Sequence, residues 1–168
     1  LNPSSAASDV YKRQLYDLPL LSTSVKAFAE YLNEFIEFKK LDKFILLGNS
    51  LGGHVGLYYT KLFKKRAAAL VLTGSSGLYE SAMGSGYTRR GDYEVMKKKV
   101  EEVFYDPKVA TKELVDEVFE TVNNRYKLVK TLAIAKSAIR HNVAKDLPEM
   151  TLPVCLIWGE NDIVTPPN

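Results

Sequence analysis

With 168 residues, 46% of them apolar and 26% charged, the chain has the balance of a globular domain large enough to bury a core. A net charge of +3 is too small to mark a nucleic-acid or membrane surface, and the lone cysteine, Cys155, excludes an intramolecular disulfide and a Cys-rich metal site. No apolar run reaches the roughly 20 residues of a membrane helix, so the expectation is a soluble, cytoplasmic protein that handles a small molecule, without nucleic-acid or membrane partners.

The leader, residues 1–14, reads "LNPSSAASDVYKRQ" and is small, polar and without periodicity. Its end, Asp9 to Gln14, resembles the translation of a transposon mosaic-end adapter used in preparing sequencing libraries. It is therefore set apart from the fold, the alternative being a natural disordered tail. The rest is then expected to be a piece of a longer protein.

Residues 22–40 predict an amphipathic helix. Val25, Phe28, Ala29, Leu32, Phe35 and Ile36 recur at helical spacing, and Ser22, Thr23 and Ser24 offer capping hydroxyls. Asp42 to Gly48, "DKFILLG", predicts a buried parallel strand, and Leu51 to Phe63 a helix with Lys64, Lys65 and Arg66 at its C-terminal end. A second buried strand is expected over 68–74, ending in the loop "GSSG".

From Tyr79 to Pro148 strand-like runs give way to charged, helix-prone stretches over Tyr93–Phe104, Thr111–Val122 and Lys127–Ile139. Lys97 to Lys99, Glu101, Glu102 and Glu113 read as solvated helix faces. A third buried strand, 153–159, leads into the loop "ENDIVTPP". The expected fold class is α/β: a parallel sheet interrupted by a helical lid. Residues 15–78 and 149–168 would form the core, and 79–148 the lid.

Between the first strand and its helix lies Gly48-Asn49-Ser50-Leu51-Gly52, a Gly-x-Ser-x-Gly pattern. In that setting the serine occupies a tight turn that lifts its hydroxyl clear of the sheet. Side chains at 48 and 52 would crowd the turn, which accounts for both glycines. The N–H of Leu51, at the helix start, can stabilise an oxyanion formed when Ser50 attacks a carbonyl. Asp162, directly after the third strand, follows the serine as the chain order Ser, Asp, His requires, with Glu160 as the competing carboxylate. The glycines at 48, 52 and 53 carry neither the lysine of a phosphate-binding loop nor dinucleotide-fingerprint spacing.

Together "LLGNSLGGHVGL", "LVLTGSSG", the helical insert and "LIWGENDIVTPP" resemble the α/β-hydrolase family across residues 15–168. The elbow "GNSLGG" and the stretch "FYDPKVATKELVDE" are similar to the C–C bond hydrolases that open meta-cleavage products of aromatic rings. Where that subgroup carries a substrate-binding arginine, this chain has Val118, and Arg125 is out of register. The departure favours a carboxylic-ester or related acyl hydrolase, with C–C cleavage as the alternative. The resemblance implies an acyl-enzyme on Ser50 and no metal or organic cofactor. A third reading is a non-catalytic ligand-binding relative.

Only two histidines are present. His54, one helical turn beyond Ser50, is expected behind the nucleophile as a packed histidine. His141 precedes Asp162, the wrong order for a base, and is expected with Asn49 and Arg140 along the substrate pocket. The family's base and its second oxyanion donor would come from outside these residues, which leaves the polypeptide as it stands inactive and its outer strand edges open to aggregation.

Overall fold

The structure, a computed structural model, describes residues 19–79 and 90–167; the leader and the early part of the expected lid lie outside them. Three parallel strands form one sheet in the order β1 (Phe44–Asn49), β2 (Ala67–Thr73), β3 (Val154–Ile157). Helix α1 (Val25–Phe38) precedes β1, and α2 (Leu51–Leu62) joins β1 to β2. Between β2 and β3 come α3 (Tyr93–Glu101), α4 (Lys112–Asn123) and α5 (Arg125–Arg140), with short 3-10 turns at Pro107–Val109 and Ala144–Glu149.

Local chemistry sets these boundaries. Ser24 caps α1 by accepting from the Ala27 N–H at 3.0 Å, and Asp92, Thr111 and Asn124 cap α3, α4 and α5 in the same way. Asn124 ends α4 and begins α5, so a single residue joins these two helices. The buried stripe of α1 is Val25, Ala29 and Ile36, flanked by Leu32. Phe35 departs from the expected stripe and is 53% exposed. It sits next to Ile36, and one residue turns a helix by about 100°.

The core forms on one side of the sheet. Val25, Ala29 and Ile36 of α1 meet Leu57, Tyr58 and Tyr59 of α2 over Leu70 and Leu72 of β2. Tyr59 is fully buried, with the Phe44 ring edge-on to it at 6.1 Å.

The expectation of strands buried on both faces needs correction. β1 alternates, with Ile45 and Leu47 exposed, and every residue of β3 is exposed. Among the described residues, helices cover only the face of Leu46 and Leu70. The register places Leu47, Val71 and Cys155 side by side on the other face.

The helical insertion is fastened where it leaves and where it returns. The Val143 N–H donates to Gly77 O at 2.8 Å, and Asn142 Nδ2 donates to Leu78 O at 3.1 Å. Further back along α5, Ser137 Oγ accepts from the Val25 N–H at 2.9 Å, tying the insertion to the start of α1. No helix among the described residues is long and apolar enough to cross a membrane.

Candidate active site

The turn from β1 to α2 carries the most strained backbone of the site. Ser50 has φ 48° and ψ −116°, a conformation that non-glycine residues adopt only when their surroundings enforce it. Five hydrogen bonds supply that enforcement. The Ser50 N–H donates to Thr73 O at 3.1 Å, and Asn49 Nδ2 donates to the same carbonyl at 3.0 Å and to Thr73 Oγ1 at 2.9 Å. Ser50 O accepts from the His54 N–H at 3.1 Å and from the Ser76 N–H at 3.2 Å. The end of β2 and the loop after it thus hold both peptide groups of the serine.

The glycine argument holds at position 48 and fails at 52. A Cβ on Gly48 would lie 2.4 Å from the Gly52 carbonyl carbon and 2.5 Å from the Gly53 nitrogen. A Cβ on Gly52 would meet nothing within 4 Å. The second crowded glycine is Gly53, where a Cβ would sit 2.4 Å from Ser75 Oγ and 2.8 Å from Ser75 Cβ. The "GG" doublet carried that signal, but only the packing of the loop after β2 shows which glycine is needed.

Leu51 is the first residue of α2, so helix geometry gives its N–H no acceptor within the helix, and the positive end of the helix dipole lies at the serine. A carbonyl oxygen of a reacting group placed there would gain charge stabilisation as it becomes an oxyanion.

Asp162 lies in the loop after β3. A Cβ on Gly74, the residue after β2, would come within 3.1 Å of Asp162 Oδ2, so the carboxylate packs against the carboxyl end of β2. Ser50 is bonded to Thr73 at that same end, where open parallel sheets place their ligands. Burial alone would raise the Asp162 pKa. The bonds from the Thr165 N–H (2.8 Å), the Thr165 hydroxyl (2.9 Å) and the Val164 N–H (2.9 Å) outweigh it and hold the carboxyl below its ordinary value. Trp158 Nε1 donates to Thr165 O at 2.7 Å and steadies the loop. Glu160 is exposed.

His54 is fully buried, and its Nε2 lies 2.9 Å from His141 O. A carbonyl only accepts, so Nε2 carries the proton. The His141 ring stands edge-on to Tyr58 at 5.0 Å, with Nδ1 2.9 Å from Ser137 O and 3.0 Å from Ser137 Oγ. Both imidazoles are therefore engaged with α2 and α5. Arg140, at the end of α5, is exposed, as is Asn49. No cluster of three or more His, Cys, Asp or Glu side chains suited to a metal ion forms among the described residues.

A profile of the α/β hydrolase fold family matches residues 4–168. Among curated proteins, the chain is 27% identical over 158 residues to the dihydrolipoyllysine-residue acetyltransferase component of the acetoin cleaving system of Pseudomonas putida, covering 89% of this chain and 40% of that protein. It is 26% identical over 133 residues to a 2-hydroxy-6-oxononadienedioate/2-hydroxy-6-oxononatrienedioate hydrolase of a Pseudomonas species, covering 72% of this chain and 47% of that one. The chain thus spans about half the length, or less, of these relatives. Among solved structures, an α/β hydrolase enzyme from the metagenome of lagoon sediments at Mar Chica, Morocco, superposes with a TM-score of 0.68 at 52% identity, over 92% of this chain and 55% of that one. A meta-cleavage product hydrolase from Pseudomonas fluorescens superposes with a TM-score of 0.65 at 18% identity over 86% of this chain and 56% of that one, a likeness of fold.

Proposed function

We propose that this chain, which belongs to the α/β hydrolase fold family, carries the nucleophile and the acid of a serine hydrolase acting on a small carboxylic ester or related acyl substrate. The observation that carries the reading is the strained Ser50 turn, held between β1 and α2 by the end of β2. Ser50 Oγ attacks the acyl carbon and forms the new C–O bond. The Leu51 N–H faces the oxygen that takes up negative charge, and the alcohol departs with the proton passed through a general base. Water then repeats the sequence on the acyl-enzyme and returns the serine.

Neither histidine of this chain serves as that base. His54 Nε2 is committed to His141 O, and the His141 ring to Ser137 and Tyr58. The base is assigned to a histidine elsewhere in the protein, which the carboxylate of Asp162 would orient and whose protonated form it would favour. In this reading residues 15–78 and 149–168 form the core and 79–148 the lid, with Asn49, Arg140 and His141 at the rim of the pocket.

A second reading, C–C bond hydrolysis of a ring-fission product, draws support from the curated relatives named as 2-hydroxy-6-oxononadienedioate/2-hydroxy-6-oxononatrienedioate hydrolases. The test uses the full-length protein and its Ser50→Ala variant, a fluorophosphonate probe, an aryl acetate and a vinylogous diketone acid. Labelling at Ser50 with turnover of the acetate supports the ester reading. Preference for the diketone acid by a large factor transfers the assignment to C–C cleavage. Absence of both labelling and turnover overturns the enzyme reading in favour of a ligand-binding protein.

A further inference from the structure

His54 is a buried histidine of the elbow helix, and acyl transfer at Ser50 gives it no role. Its surroundings do. Its main-chain N–H holds Ser50 O, and its ring Nε2 donates to His141 O across 87 residues of sequence. His141 is where α5 ends and the insertion returns to the core. The outgoing root is in contact with the same ring. Gly77 has φ +96°, and a Cβ there would come within 2.4 Å of His54 Cδ2. The two roots are also bonded to each other, Val143 N–H to Gly77 O and Asn142 Nδ2 to Leu78 O. One imidazole therefore lies between the nucleophile turn, the segment leaving for the insertion and the segment coming back.

We propose that His54 is a positioning residue that fixes the helical insertion relative to Ser50, so that it sets which acyl groups fit over the nucleophile without touching the reacting atoms. The inference rests on the serine-hydrolase reading for its catalytic consequence and on the hydrogen bonds alone for its structural one. A buried N–H donor facing a carbonyl is directional. Removing it leaves His141 O without that donor and loosens the returning root, which then rests on the bonds of Val143 and Asn142. A shift there is passed to α5, which ends at His141, and through the shared Asn124 cap to α4.

The experiment compares His54→Leu and His54→Asn, which cannot place a donor at the Nε2 position, with His54→Gln, whose amide nitrogen can. Each is made in the full-length protein. Hydrogen exchange is followed at the amides of Ser76 and Val143 against those of Leu70 and Leu72 in the sheet. KM is measured for a short and a long acyl ester of one alcohol. The expected result is faster exchange confined to the roots and a change of about three- to tenfold in the ratio of the two KM values, the size of coupling seen for residues that act through others. His54→Gln restores both. His54→Asn serves where the leucine variant does not fold.

Unchanged exchange at Val143, or exchange raised equally in the sheet, overturns the proposal. So does an unchanged KM ratio in a protein with loosened roots, which would make His54 a packing residue only. Should Ser50→Ala retain wild-type turnover, the serine reading fails by itself, and the exchange comparison still decides whether His54 fastens the roots.

Discussion

Adding one methyl group at Gly53 and at the adjacent Gly52 should give opposite results. In helical propensity the two changes are alike, since alanine for glycine stabilises a helix interior by up to about 1 kcal/mol. At Gly52 nothing lies within 4 Å of the new carbon, so Gly52→Ala is expected to leave stability unchanged or raise it by that amount. At Gly53 the carbon would stand 2.4 Å from Ser75 Oγ and 2.8 Å from Ser75 Cβ. The Ser75 hydroxyl already donates to Ser76 O at 2.9 Å, so it cannot swing away without losing that bond. Overpacking of this kind costs about 1–3 kcal/mol, which leaves Gly53→Ala about 0–2 kcal/mol less stable than the parent after the propensity gain. For a chain of this size each kcal/mol moves the midpoint by about 2–4 °C, so the two variants should melt about 2–12 °C apart. Ser75 neighbours Ser76, whose N–H holds Ser50 O, so Gly53→Ala should also slow fluorophosphonate labelling of Ser50. Thermal unfolding and labelling rates, measured side by side, check this. Equal melting points, or a Gly52→Ala variant as damaged as Gly53→Ala, would refute the packing argument.

Asp162 supplies a pH test. Its folded carboxyl sits below the ordinary value, so its contribution to stability is present above the unfolded pKa of about 3.9 and is lost as pH falls through the lower folded value. Urea midpoints of the parent and Asp162→Asn should therefore differ at neutral pH and converge below about pH 4, whereas a constant gap would contradict the bonding described for the loop. The bare sheet face supplies another. Ile45 (63% exposed), Leu47 (73%) and Ile157 (57%) lie on one side of the sheet, so the 168-residue polypeptide produced alone should bind a hydrophobic dye and elute as large species. Ile45→Thr with Leu47→Thr should reduce both, and a dye-free monomer from the unaltered polypeptide would count against the prediction.

How legible these features were depends on how local their causes are. The strand, turn and helix around Ser50 could be read from residues 42–63 because a continuous apolar run, two glycines and a helical repeat are local signals. Each of the three strands and the helices α3, α4 and α5 falls within a few residues of its expected span for the same reason. Burial on both faces was misread, since an apolar run records what a strand tolerates and not which helices cover it. The choice between Gly52 and Gly53 depended on Ser75, and the partner of His54 lay 87 residues away. No periodicity reports such distances.

Ser50, Asp162 and the roots of the insertion share one frame of reference, the segment Thr73 to Leu78. Thr73 O receives the Ser50 N–H and the Asn49 amide, Gly74 faces the Asp162 carboxylate, and Ser76 holds Ser50 O. Gly77 O and Leu78 O receive the returning root. A serine forced into a sparsely populated conformation costs about 1–3 kcal/mol, and it persists only where neighbours overdetermine it. Here those neighbours are also the residues that place Asp162 and the insertion. Strain at Ser50 and the placement of Asp162 and the insertion are therefore not independent quantities: a change that relaxes the 73–78 segment would release the serine and displace its neighbours in the same step.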